Sequence, residues 1–187
     1  MASVATKTHW TPEDLLVMPD AAGYELVDGE LVERGMGSKS SWVGGKLFAR
    51  LLQFCDENHL GWVFPADQSY QCFPHAPDRV RRPDASFIRI GRLPGEKLPE
   101  GHTRIPPDLA AEVISPNDLA TVMDRKLKDY LTGGVRLVWV INPDTRSARI
   151  HRAGRPILEL EERDELDGED VVPGFRCRLS DLLPLEP

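Results

Sequence analysis

The chain of 187 residues carries a formal net charge of −7, with 41% hydrophobic and 28% charged residues. That is the make-up of a globular protein able to bury a sizeable core, and its acidity disfavours a broad charge-driven grip on nucleic acid, though not a local basic site. No apolar run approaches the ~20 residues needed to cross a bilayer, and the N-terminus lacks a secretory leader pattern, so the expectation is one cytoplasmic domain over residues 1–187.

In "TPEDLLVMPD", Thr11 is placed to cap a short helix, with Pro12 at its first position and Glu13 and Asp14 at its positive end. "YELVDGELVER" reads as strands near 24–27 and 30–34 joined by Asp28-Gly29, a strong hairpin signal. "SSWVGGKLFARLLQFCDENHLG" predicts a long helix capped by Ser40 or Ser41 and closed by Gly61, with Leu47, Leu51, Phe54 and Cys55 at helical spacing. "WVFPA" and "SYQCF" read as short strands, and "PHAPDRVRRP" as a proline-rich loop.

"DASFIRI" is a strand from Asp84 to about Ile90, and residues 91–107 form a long Gly- and Pro-rich connector. "DLAAEVIS" has the near-continuous apolar character of a doubly covered strand. A helix capped by Asn117 or Asp118 then runs through about Thr132 to Gly133-Gly134, with Leu119, Met123, Leu127 and Leu131 along one stripe. "VRLVWVIN" and "SARIHR" form a strand pair around the turn "PDTR"; "RPILEL" is a further strand, "ERDELDGED" an acidic loop and "SDLLPL" a closing helix. The strand–helix–strand unit over 108–141 predicts a parallel pair in an otherwise antiparallel sheet, hence an α/β fold with a mixed sheet flanked by helices.

Glu112 is the anomaly. It lies between Ala111 and Val113 in a core strand, where a carboxylate is costly unless paired. If the strands of Asp84 and Glu112 are neighbours, the two acids converge, and two close carboxylates repel unless a cation intervenes. Such hard oxygen ligands suit Mg²⁺ or Mn²⁺, with the backbone carbonyl of Val113 as a third ligand. Lys126 shares a helix face with Val122 and Tyr130 and is placed to reach inward, whereas Lys128 points away. Simpler readings stand beside these: Asp84 as a turn residue, Lys126 and Tyr130 as an amphipathic edge, and Glu112 bridged to an arginine. Arg79, Arg81 and Arg82 in "DRVRRPD" read either as a solvated loop or as contacts to backbone phosphates. Cys55, Cys72 and Cys177 include no CxxC pair, so reduced thiols are expected. Trp42 and Phe73 are candidates for a homodimer face.

Taken together, "RRPDASFI", "PPDLAAEVISPND" and "DRKLKDYLTGGVRLVWVINPDTR" resemble a large bacterial family of restriction-endonuclease-like proteins, the Uma type, placed in the PD-(D/E)XK nuclease superfamily. The likeness spans roughly residues 10 to 160 and includes "YELVDGELVER". It implies a restriction-endonuclease-like fold and metal-dependent hydrolysis of DNA phosphodiesters, with Asp84 and Glu112 as metal ligands. The lysine that the superfamily carries two positions after its second acid is replaced here by Ile114, and the resemblance assigns its role to Lys126, with Tyr130 and Glu25 completing the site. The chain also carries "SKSSWVGG" where many members have a histidine. That departure, the acidic charge and the missing lysine leave a second reading open, a catalytically inactive nuclease-fold module that binds nucleic acid or a protein.

Overall fold

A computed structural model describes residues 8–35, 37–116 and 118–185. Helix α1 (Pro12–Val17) opens with a reciprocal cap between Thr11 and Asp14. Strands β1 (Tyr24–Val27) and β2 (Glu30–Glu33) form an antiparallel hairpin. At its tip Asp28 (φ 53°) and Gly29 (φ 82°) are both left-handed, as a type I′ turn requires. Helix α2 (Ser38–Glu57) follows, and then β3 (Gly61–Pro65), β4 (Ala85–Arg89), β5 (Leu109–Val113), helix α3 (Ala120–Gly133), β6 (Leu137–Asn142), β7 (Ser147–His151) and β8 (Leu158–Glu161). A small ribbon pairs β9 (Glu165–Asp167) with β10 (Arg176–Arg178).

The central sheet runs β3-β4-β5-β6-β7-β8, antiparallel except for β5 and β6, which are parallel across α3. Alternation of side chains divides the core in two. Ala85, Phe87, Leu109, Ala111, Leu137, Trp139 and Ile141 join Val43, Leu47, Leu51 and Cys55 of α2 on one face. Ala110, Val138 and Val140 meet Met123, Leu127 and Tyr130 of α3 on the other. The expected mixed sheet flanked by helices, with an N-terminal hairpin, is therefore observed. Among the described residues, no helix is long and apolar enough to cross a membrane.

Several local expectations need correction. Helix α2 begins at Ser38 behind Gly37, and Gly61 opens β3 rather than closing the helix, whose C-cap is Asn58. "SYQCF" forms no strand; Tyr70 alone bridges to Arg81 and Thr103, because the prolines at 74 and 77 bend the chain away. Asn117 lies outside the described residues, and α3 has Leu119 at its N-cap while the Asp118 carboxylate takes the Ser115 N–H instead. The "acidic loop" contains β9. Phe73 is buried against Tyr130, so it belongs to the core and not to a dimer face, whereas Trp42 is 56% exposed. The three cysteines are free thiols.

Candidate active site

Register brings the two acids together. The β4–β5 ladder pairs Ala85 with Ala111, and the Asp84 N–H donates to the Ala111 carbonyl at 2.8 Å. Asp84 lies just before this ladder and Glu112 just beyond its last paired residue, Ala111. Both border a cavity of about 50 Å³ that is also lined by Glu25, Arg34, Val113 and Lys126.

Each acid has a cation. Arg34, at the end of the hairpin, meets Asp84 Oδ1 at 2.9 Å and anchors itself on the Ala66 carbonyl at 2.7 Å. Lys126 Nζ lies 2.7 Å from Glu112 Oε2 and 3.0 Å from Glu25 Oε1. The Tyr130 hydroxyl donates to the other Glu112 oxygen at 2.6 Å. Lys126 and Tyr130 thus both turn from α3 onto Glu112, and its partner is the lysine rather than an arginine; Lys128 is exposed. Four residues distant in sequence, Glu25, Asp84, Glu112 and Lys126, meet in one place.

The two glutamates on this lysine behave oppositely. Burial pushes the Glu112 carboxyl up to about 7; Lys126 opposes the rise, while the charges of Asp84 and Glu25 add to it. Burial also pushes Glu25 upward, but Lys126, Arg81 and the Arg82 N–H outweigh it and hold that carboxyl below its usual range. Burial alone would favour the neutral amine of Lys126, yet Glu112, Glu25 and Asp84 hold it firmly as an ammonium.

The arginines of "DRVRRPD" point inward. Arg81 is 2% exposed and Arg82 5%. Arg81 bridges Glu25 and Asp129, and Arg82 donates to the Tyr24 and Asp67 carbonyls. Both side chains are buried and engaged by internal acceptors, Arg81 by two carboxylates and Arg82 by two carbonyls. Arg79 spans Asp129 and Asp28 at the rim of a cavity of about 890 Å³, on which Arg125 and Lys128 also open. Arg34 and Asp129 are parts of the site that the sequence reading did not single out.

The donor set fits a hard divalent ion. The Val113 N–H donates to Asp84 Oδ2 at 2.7 Å, past the last rung of the ladder, and in a strand the carbonyl of the same residue lies on the same edge. Two carboxylates and one carbonyl would offer such an ion oxygen ligands only, the kind Mg²⁺ takes. Among the described residues, no group of three or more His, Cys, Asp or Glu side chains could hold a metal ion, so the ligand set rests on two carboxylates and a carbonyl.

A family model described as "Putative restriction endonuclease", Uma2, matches residues 12–182. Among solved structures, the fold resembles that of a "putative nuclease belonging to DUF820" from Anabaena variabilis, with a TM-score of 0.76 and 19% identity over 92% of this chain and 96% of that one. No curated protein matches the chain. The extent of the family match settles membership: the chain belongs to the Uma2 family of restriction-endonuclease-like proteins.

Proposed function

We propose that this protein is a metal-dependent endonuclease that hydrolyses DNA phosphodiesters. The observation that supports it most is the meeting of Asp84 and Glu112 on adjacent strands with a buried ammonium from the next helix. Asp84, Glu112 and the Val113 carbonyl would hold Mg²⁺ or Mn²⁺. When bound, such an ion polarises a phosphoryl oxygen and acidifies a water.

The remaining roles belong to the chain. Lys126, held as an ammonium, does not abstract a proton; it offers positive charge where negative charge grows on the phosphate, in a site already desolvated. Tyr130 orients Glu112 by donating to it. Glu25 is the second carboxylate that holds the Lys126 ammonium. Contacts to backbone phosphates would come first from Arg125 and Lys128, the exposed cations on the larger cavity that Arg79 and Arg81 also line. A homodimer would supply two centres for a duplex, with Trp42 on the surface available to a second copy.

One observation favours the inactive module. Arg34 and Lys126 each pair with one of the two acids, so both carboxylates have a cation supplied by the chain itself. Incubation of supercoiled plasmid with the protein decides between the readings. Nicking that appears with Mg²⁺ or Mn²⁺, stops with EDTA and is lost in Asp84→Ala and Glu112→Gln supports the nuclease. Cleavage that survives both changes ends it. Absence of nicking, together with no Mn²⁺ binding by calorimetry, establishes the module.

A further inference from the structure

We infer that Arg81 and Asp129 are positioning residues for Lys126, acting as a buried clamp that fixes how α3 sits against the hairpin. The inference rests on the reading of Lys126 as the lysine of the site.

A lysine carried on a helix poses a problem that a lysine on the strand does not. Turning a helix by one residue swings a side chain by about 100°, and sliding it by one turn moves it about 5.4 Å. The packing of α3 on the sheet is apolar, through Met123, Leu127 and Tyr130 over Ala110, Val138 and Val140. The hydrophobic effect is itself non-directional, so orientation is left to packing detail and to polar contacts such as that of the Tyr130 hydroxyl with Glu112.

Arg81 supplies direction. Its Nε and one terminal nitrogen reach Asp129 Oδ2 at 2.8 and 2.6 Å, and its other terminal nitrogen reaches Glu25 Oε2 at 2.9 Å. A guanidinium is planar and donates at fixed angles, so it sets the relation of the two acids. The second oxygen of Glu25 then receives Lys126 at 3.0 Å and the Arg82 N–H at 2.7 Å. Asp129 lies three residues beyond Lys126 on the same helix. Helix α3 is therefore tied to β1 at two points, Lys126 to Glu25 directly and Asp129 to Glu25 through Arg81. Two ties on one face fix both rotation and slide.

The base of the clamp is itself held. The main chain of Arg81 exchanges hydrogen bonds with Tyr70 at 2.8 and 3.0 Å. The free oxygen of Asp129 is taken by Arg79 at 2.5 Å. Glu25, Arg81, Lys126 and Asp129 are all buried. Buried ions of this kind rarely stabilise a fold more than apolar side chains of equal volume would. What apolar packing would not reproduce here is the orientation of the ammonium towards Glu112.

The test reads the lysine ammonium by proton–nitrogen NMR, which needs no catalysis. In the wild type, Lys126 gives a slowly exchanging ammonium signal, identified by its loss in Lys126→Met. In Asp129→Asn, which keeps the shape, its exchange rises about tenfold, the factor expected where a charge-assisted hydrogen bond is weakened. Arg81→Gln does the same, and if that variant fails to fold, Asp129→Asn decides. Asp28→Asn, at the outer end of the arginine chain, leaves the signal unchanged. In plasmid nicking, Asp129→Asn lowers kcat and leaves KM near its wild-type value. A chain that cleaves nothing but loses Lys126 protection in Asp129→Asn discards the nuclease reading and keeps the clamp. A signal equally protected in Asp129→Asn, or freely exchanging in the wild type, overturns it.

Discussion

Lys126→Met lowers the rate of metal-dependent plasmid cleavage by roughly 10²–10³-fold, the loss expected when one group that stabilises developing charge is removed. It also removes the ammonium that touches both Glu112 and Glu25. Two buried carboxylates then face each other with less compensation, at a cost of about 3–5 kcal/mol in urea unfolding. The informative partner is Ile114→Lys in the same chain. Residue 114 follows Glu112 by two positions, so it stands on the same face of the sheet, and Ile114 packs against the apolar cluster that includes Met123 and Leu127 of α3. A lysine there occupies the place that the superfamily uses and enters the space left by Lys126. The double variant regains at least part of the lost rate, with the single Ile114→Lys change as control. Single-turnover kinetics measures both. A Lys126→Met protein that cleaves at the wild-type rate removes the lysine from the mechanism.

The second expected result concerns Glu112 and pH in metal-free buffer. Its carboxyl rises from a usual value of 4.5 to about 7 in the folded protein. A group whose folded pKa is raised contributes stability below its unfolded pKa and loses it as pH climbs through the folded value. Between pH 4.5 and about 7, wild-type stability therefore falls relative to Glu112→Gln, by a total on the order of 3 kcal/mol. Glu25 has the opposite slope, its contribution being lost on acidification, but it is common to both proteins and largely cancels in the difference. Urea unfolding with EDTA at several pH values in that window gives the comparison. Parallel curves for the two proteins would falsify the assignment of a raised Glu112.

What could be read from the sequence was what local chemistry dictates. Asp28-Gly29 demanded a tight hairpin, the apolar run around Glu112 demanded a core strand, and the four-residue spacing of Lys126 and Tyr130 placed them on one helix face. The family resemblance then selected Asp84 and Lys126 from many acids and lysines. What stayed hidden was long-range pairing. Nothing near Arg34 announces that it meets Asp84, and nothing near Arg81 announces Asp129, because each pair joins segments remote in sequence. The "DRVRRPD" run was open to misreading for the same reason. A cluster of arginines in a polar loop has the composition of a phosphate-binding surface, and only the fold shows Arg81 and Arg82 turned towards internal acceptors. "SYQCF" had strand composition, but it has no neighbouring strand with which to form a continuous ladder.

The placement of the lysine on α3 also bears on how the protein loses its site. A lysine and glutamate on one strand stay together as long as the sheet does. Here they are on different elements, and α3 is held to the sheet by a few apolar side chains and the buried ion pairs. Local opening of a helix exposes less surface than disruption of a six-stranded sheet, so it occurs at a lower free energy. Each such opening parts Lys126 from Glu112, admits water to the carboxylates and leaves the strands intact. The lifetime of the assembled centre is thus set by the docking of one fourteen-residue helix, not by the global stability of the fold.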